Sequence, residues 1–213
     1  KGADVIKLGV MPTAALAYFV RQDRYDLGIA ISASHNDVAD NGLKFFSHKG
    51  YKLFQEEELS IEKILFERLI PQGQPQQAQQ DAPPSGKISE KDEKPSYTAF
   101  LKNIVSGCDV SKYKIVIDSA FGAASSVAPE LFKAITKDTI SLNDTPDGTN
   151  INKSCGALHP EVVSKAVMEN GADCGFSFDG DADRVIVCDE KGNSLDGDFQ
   201  LAIYKVTCGW FFS

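Results

Sequence analysis

Apolar residues occur in short blocks along the chain, and the spacing inside each block separates helices from strands. Residues 12–22 carry apolar side chains at helical spacing behind a Pro-Thr start, which predicts a helix capped by Thr13. Residues 27–33 (Leu-Gly-Ile-Ala-Ile-Ser-Ala) read as a buried strand. Residues 43–47 begin another, and His48-Lys49-Gly50 is a turn. Residues 60–69 read as an amphipathic helix capped by Ser60, and residues 97–105 as a further helix. Residues 114–118 form a buried strand that runs into the small residues 119–124, where a helix should begin. Residues 160–170 predict a helix with Pro160 in its first turn and Gly171 just past its end. Residues 174–178 and 185–188 are short apolar strands. Strands and helices alternate through this second half, which predicts an α/β domain with a largely parallel sheet.

The pattern breaks once, at residues 71–95. This stretch is rich in Gln and Pro and almost free of apolar side chains. It cannot bury enough surface to offset the entropy of ordering, so it predicts a mobile linker or long exposed loop. A Gln-rich, prion-like role is the other reading of such a tract, and this one is short for it.

Composition narrows the picture. A chain of 213 residues suits one large or two small domains, and 42% hydrophobic residues suffice for real cores. The net charge of -8, with no basic patch, argues against a nucleic-acid partner. The five cysteines (Cys108, Cys155, Cys174, Cys188 and Cys208) show no Cys-x-x-Cys spacing and read as reduced residues of a cytoplasmic protein. No apolar run approaches the roughly 20 residues of a membrane span. Lys1-Gly2-Ala3-Asp4-Val5 does not read as a signal peptide.

Two segments carry chemistry. In Asp179-Gly180-Asp181-Ala182-Asp183-Arg184, three carboxylates alternate with the two smallest residues between two apolar strands. Small residues let the backbone curl so that the carboxylates converge, and hard oxygen ligands at such a loop suit Mg²⁺. A solvated acidic turn is the bland alternative. A Ca²⁺ loop of the helix–loop–helix type is excluded, because Arg184 stands where its glycine belongs and the flanks are strands. The second segment is Ser34-His35-Asn36 at the tip of the 27–33 strand, followed by Asp40-Asn41-Gly42-Leu43-Lys44-Phe45. A serine held out at a strand tip can serve as a nucleophile if a base or cation assists it. Taken locally, the same residues are also an ordinary turn. The 119–124 segment reads either as an anion site or as close packing of helix on strand.

Together the two segments resemble the α-D-phosphohexomutase superfamily. Residues 9–13, 41–47, 146–152, 155–156, 159–161 and 195–198 extend the likeness in the same order. Within that superfamily the chain is most similar to the bacterial phosphoglucosamine mutases. The resemblance implies two three-layer αβα domains with mixed, largely parallel sheets. These are domain I (residues 1–80, with the serine loop), a linker (81–95) and domain II (96–213, with the acidic loop). It implies that Ser34 is phosphorylated in the active enzyme and joins Asp179, Asp181 and Asp183 around Mg²⁺. It implies Arg184 as a substrate or phosphate contact, with pairing to an aspartate as its alternative. His35 and Lys44 are the two candidates for general acid/base, and Asn36 and Asn41 for shaping the serine loop. The implied reaction interconverts glucosamine 6-phosphate and glucosamine 1-phosphate through a sugar bisphosphate, supplying a precursor of UDP-N-acetylglucosamine and the cell wall. The partner is a phosphosugar, and self-association into a homodimer is left open.

Four departures accompany the resemblance. Ala182 stands where the family has Gly, and Asp37 where it has Pro. The family's N-terminal strand with its arginine-bearing loop is not matched. Its third and fourth domains, which choose the sugar and grip the distal phosphate, are not matched either, and residues 207–213 read as a truncated end. The alternatives are therefore a phosphoglucomutase or phosphomannomutase, or a truncated metal-binding fragment without turnover.

Overall fold

The computed structural model describes residues 2–69 and 86–207. They divide into two compact units. The first comprises residues 2–9, 16–30, 44–69 and 86–93, and the second residues 10–15, 31–43 and 94–207. The serine loop therefore groups with the C-terminal half of the chain.

The N-terminal elements are β1 (Val5–Lys7), α1 (Thr13–Gln22), β2 (Leu27–Ser32), β3 (Gly42–Ser47), α2 (Gln55–Leu69) and β4 (Ile88–Glu90). β1 pairs in parallel with β4, and β2 pairs with β3, giving two two-stranded sheets. Phe19 and Val20 of α1 and Phe46 of β3 are buried. Lys91 bonds Asp23 at 3.1 Å and also Glu93, fixing the residues after β4 to the turn after α1.

Two expectations change here. α2 begins at Gln55, not Ser60. Glu57 marks the true start, because its Oε2 accepts the Phe54 N–H at 2.9 Å, the return bond of a capping box. Ser60 lies inside the helix, where its hydroxyl donates to the Glu56 carbonyl. Residues 71–85 of the Gln/Pro tract lie outside the described residues, while Ile88–Glu90 form β4 against β1. A three-residue strand is too short to leave a period in the sequence.

The second unit contains α3 (Lys94–Ile104), β5 (Lys114–Asp118), α4 (Ala128–Ile135), β6 (Asp138–Leu142), α5 (Pro160–Asn170), β7 (Cys174–Phe178), β8 (Val185–Cys188), β9 (Ser194–Leu195) and α6 (Gly197–Thr207). The sheet order is β6-β5-β7-β8-β9. β5 runs parallel to both β6 and β7, whereas β8 is antiparallel to β7 and β9 to β8. The sheet is mixed for a simple reason. The acidic loop between β7 and β8 is too short for the crossover that a parallel neighbour needs.

Successive residues of β5 face opposite sides. Val116 packs with Val163, Val167, Ala172 and Cys188, on the α5 side. Ile115 and Ile117 pack with Ala124, Ala128 and Phe132, on the α4 side. Helices thus cover both faces, a three-layer αβα arrangement. α5 starts at Pro160 and stops at Gly171, whose left-handed φ of 57° lets the Gly171 and Ala172 N–H groups close onto the last turn.

β5 and β7 end side by side, with Asp118 in register with Ser177. From β5 the chain turns toward β6 on one side, while β7 lies on the other. Their carboxyl ends form a topological switch point, where open α/β sheets bind ligands. The 119–124 segment does not start a long helix. A 3₁₀ turn, Ala123–Ser126, precedes α4. Its small residues serve close packing: a Cβ on Gly122 would meet the Gly180 carbonyl at 2.3 Å.

Among the described residues the cysteines are free: Cys155 and Cys188 are buried, Cys174 is half-buried and Cys108 exposed. Cys208 lies outside the described residues. No described helix is long and apolar enough to cross a membrane.

Candidate active site

The acidic loop leaves β7 at Asp179 and re-enters the sheet at Val185. Asp179 and Asp181 are buried, at 1% and 4% exposure, and Asp183 is exposed. A carboxylate oxygen of each lies within 4.8 Å of the others. Backbone curvature brings this about. Ala182 adopts a left-handed φ of 57°, and its N–H donates to the Asp179 carbonyl at 3.0 Å. The N–H groups of Asp183 and Arg184 both donate to Asp179 Oδ1 at 3.1 Å.

Burial, chiefly, holds the Asp179 carboxyl above the usual carboxylate range, and the charges of Asp181 and Asp183 push the same way. Donation from Arg184 and its charge oppose that rise without cancelling it. Like charges this close call for a cation, and three carboxylates converging on one point are the donor set of a hard divalent ion.

Thr13 supports the middle aspartate. Its hydroxyl donates to Asp181 Oδ2, and its N–H donates to the Asp181 carbonyl at 3.0 Å. The side chain expected to cap α1 is thus engaged by a residue 168 positions away.

Ser34 also belongs to this unit. Its φ of 55° is left-handed, a costly conformation for a residue with a Cβ. Ser32 Oγ accepts its N–H at 2.8 Å. Its own hydroxyl donates to Asp179 Oδ2 at 3.2 Å and accepts from Arg184 Nη2 at 2.9 Å. Arg184 in turn bonds Asp179 Oδ2 through Nε at 3.1 Å and donates to His35 Nδ1. Ala120, Phe121 and Asn152, on neighbouring loops of the same unit, are left-handed as well. Such backbone gathers where a site holds groups in place against local preference.

Of the residues expected at the site, the structure brings Ser34, His35, Asp179, Asp181, Asp183 and Arg184 together. Arg184 is paired with Asp179, the alternative considered for it. Lys44 lies half-buried on β3, in the first unit. Two contributors were not expected. One is Thr13. The other is Asn152, whose side chain donates to the carbonyls of Ser34 and Asn36, both at 2.9 Å.

The model of phosphoglucomutase/phosphomannomutase α/β/α domain I matches residues 1–69, and that of α/β/α domain II matches residues 95–192. The chain belongs to this family. The phosphoglucosamine mutase of Geobacter sp. (strain M21) is 47% identical over 204 residues, covering 95% of this chain and 44% of the relative. The crystal structure of a phosphoglucomutase/phosphomannomutase family protein from Burkholderia thailandensis superposes with a TM-score of 0.74 at 27% identity, over 95% of this chain and 44% of that one. The Aspergillus fumigatus N-acetylphosphoglucosamine mutase, solved in complex with GlcNAc-6P and magnesium, shares the fold. Its TM-score is 0.53 at 17% identity, over 90% of this chain and 52% of its own. The chain thus spans less than half the length of the curated relatives it matches.

Proposed function

We propose that Ser34 and the aspartate loop form the phosphoryl-transfer centre of a phosphosugar mutase, with glucosamine 6-phosphate and glucosamine 1-phosphate as its substrate pair. The observation that carries this reading is the hydrogen bond from the Ser34 hydroxyl to Asp179, the first of three convergent aspartates. Curated relatives at 43–47% identity bear the name phosphoglucosamine mutase, which supports glucosamine over glucose or mannose.

The donor set fits Mg²⁺, with Asp179, Asp181, Asp183 and a phosphorylated Ser34 as the groups that would hold it. When bound, the ion neutralises charge on the transferring phosphoryl group. The protein's own residues supply position. Asp179, fixed by the Asp183 and Arg184 N–H groups, orients Ser34 Oγ. Arg184 presents guanidinium donors to the same oxygen, and these suit a phosphate placed there. The phosphoryl group passes from Ser34 to a hydroxyl of the monophosphate, and the resulting bisphosphate returns its other phosphate to Ser34. His35, beside Ser34 and held through Nδ1, and Lys44 on β3 are the two groups assigned to the hydroxyl proton. Free thiols among the described residues support a cytoplasmic location. The same reading takes residues 1–80 and 96–213 as domains I and II, joined by 81–95.

Titration calorimetry with Mg²⁺ tests the centre. The parent chain should bind one ion and Asp181→Ala none. Equal binding by both places the metal elsewhere.

A further inference from the structure

We infer that Asn152 is a positioning residue for Ser34: its side-chain amide holds the serine loop in the backbone conformation that aims the hydroxyl at Asp179. The inference rests on the proposed role of Ser34.

Asn152 Nδ2 lies 2.9 Å from the Ser34 carbonyl and 2.9 Å from the Asn36 carbonyl. An amide nitrogen has two hydrogens, so both are used. Two carbonyl acceptors admit only the nitrogen end of the amide, which fixes its orientation. Asn152 is itself held, because its backbone N–H donates to the Ala120 carbonyl at 2.9 Å. Ala120 is anchored in turn, since Asp118, fully buried at the end of β5, accepts the Ala120 N–H at 2.8 Å and the Gly156 N–H at 2.9 Å. A chain of hydrogen bonds therefore runs from the sheet through Asp118, Ala120 and Asn152 to the serine loop.

The loop needs such a restraint. Ser34 sits at φ 55°. For an L-residue with a side chain this conformation is costly, so the loop relaxes unless its surroundings over-determine it. Its own bonds, Ser34 N–H to Ser32 Oγ and Asn36 N–H to the Ala33 carbonyl, close the turn without fixing it to the sheet. Side-chain bonds of Ser34 and His35 to Asp179 and Arg184 hold the loop by its side chains, and Asn152 supplies the two bonds that hold its backbone. They grip the carbonyls on either side of His35, so one amide fixes the whole Ser34-His35-Asn36 segment. Asparagine also suits position 152 itself, where φ is 58°, because it tolerates left-handed backbone better than most residues.

Chemical-shift measurement on the ¹³C,¹⁵N-labelled chain tests this without any ligand. The Ser34 Cα and Cβ shifts report its left-handed φ, and the β5 and β7 amide shifts report an intact sheet. Asn152→Ala should move Ser34 toward extended or averaged values while β5 and β7 keep theirs. Asn152→Asp preserves shape and removes both donors at neutral pH. Both variants should therefore lose the Ser34 signature, and if Asn152→Ala also loses the sheet signals, the near-isosteric Asn152→Asp decides alone. Ser34 shifts that stay at the parent's values in a variant with intact β5 and β7 shifts overturn the inference.

A second readout follows phosphate transfer to Ser34 from α-D-glucose 1,6-bisphosphate by peptide mass. Both variants should be slowed at least tenfold relative to the parent. Undiminished transfer overturns the positioning role. A parent that takes no phosphate on Ser34 refutes the phosphoserine reading instead, and the shift experiment then judges Asn152 by itself.

Discussion

The Ser34 hydroxyl lies 3.2 Å from Asp179 Oδ2, although 145 residues separate the two in sequence. Ser34 leaves the end of β2 and Asp179 the end of β7, and the carboxylate is 1% exposed. The serine proposed as nucleophile and the acidic loop therefore lie together within one compact unit. Such an arrangement suits the proposed phosphoryl transfer, whose catalysis consists mostly of positioning and charge neutralisation.

Thr13 should matter to the metal more than its place at a helix start suggests. Thr13→Val keeps the shape and deletes the hydroxyl that donates to Asp181 Oδ2. A lost hydrogen bond to a buried charge costs about 1.5–3 kcal/mol, and loss of a group that orients a metal ligand typically weakens binding about 10–100-fold. Urea denaturation and Mg²⁺ calorimetry measure the two effects. A variant that loses stability while binding Mg²⁺ as the parent does limits Thr13 to a structural role.

Gly180 should resist substitution because of what lies against it. An added Cβ would meet the Ser34 carbonyl at 2.4 Å and Asn152 Nδ2 at 2.9 Å. The nearer neighbour is backbone, so the serine loop itself has to move. Gly180→Ala should cost about 1–3 kcal/mol of stability and slow phosphate transfer to Ser34 at least tenfold. Peptide mass spectrometry after incubation with a sugar bisphosphate gives the rate, and transfer at the parent rate would show that the loop accommodates the methyl group.

The buried thiols give a pH signature of the second unit. Burial, with the Asp118 charge adding to it, pushes the Cys155 thiol up to about 12, and burial with the charge of Asp173 pushes Cys174 up to about 11. The ordinary value is 9.0. Above that pH the unfolded chain releases these protons and the native state keeps them. Stability is therefore full below pH 9 and falls as pH rises toward 11 and 12, by about 1.4 kcal/mol per unit for each thiol inside its window. Urea midpoints between pH 8 and 11 follow this. Iodoacetamide at pH 8 should label exposed Cys108 and leave Cys155 and Cys188 unmodified until urea is added. Equal labelling of all three in the native chain contradicts the burial.

Much of the second unit was legible because its signals are local. β5, β7 and β8 are compact apolar runs, and α5 carries a proline start and a glycine stop. Three aspartates in five residues stand out in any window. β1, β4 and β9 have two or three residues each and leave no period to read. β6 could have been found, since Ile140 and Leu142 alternate with polar residues and Asn143-Asp144 follow as a turn signal, but the pattern is short. Ser60 misled because a serine before an apolar run looks like a cap, whereas Glu57 carries the real one. The roles of Thr13 and Asn152 are a different matter. Each depends on partners more than a hundred residues away, and only the folded chain brings them within hydrogen-bond reach.

The most direct test of the account is where phosphate lands. Incubating the chain with Mg²⁺ and excess α-D-glucose 1,6-bisphosphate, then mapping phosphopeptides, should find one phosphate on Ser34, and none after Ser34→Ala. Phosphate on Ser32 in place of Ser34, undiminished incorporation in Ser34→Ala, or no incorporation at all would contradict it.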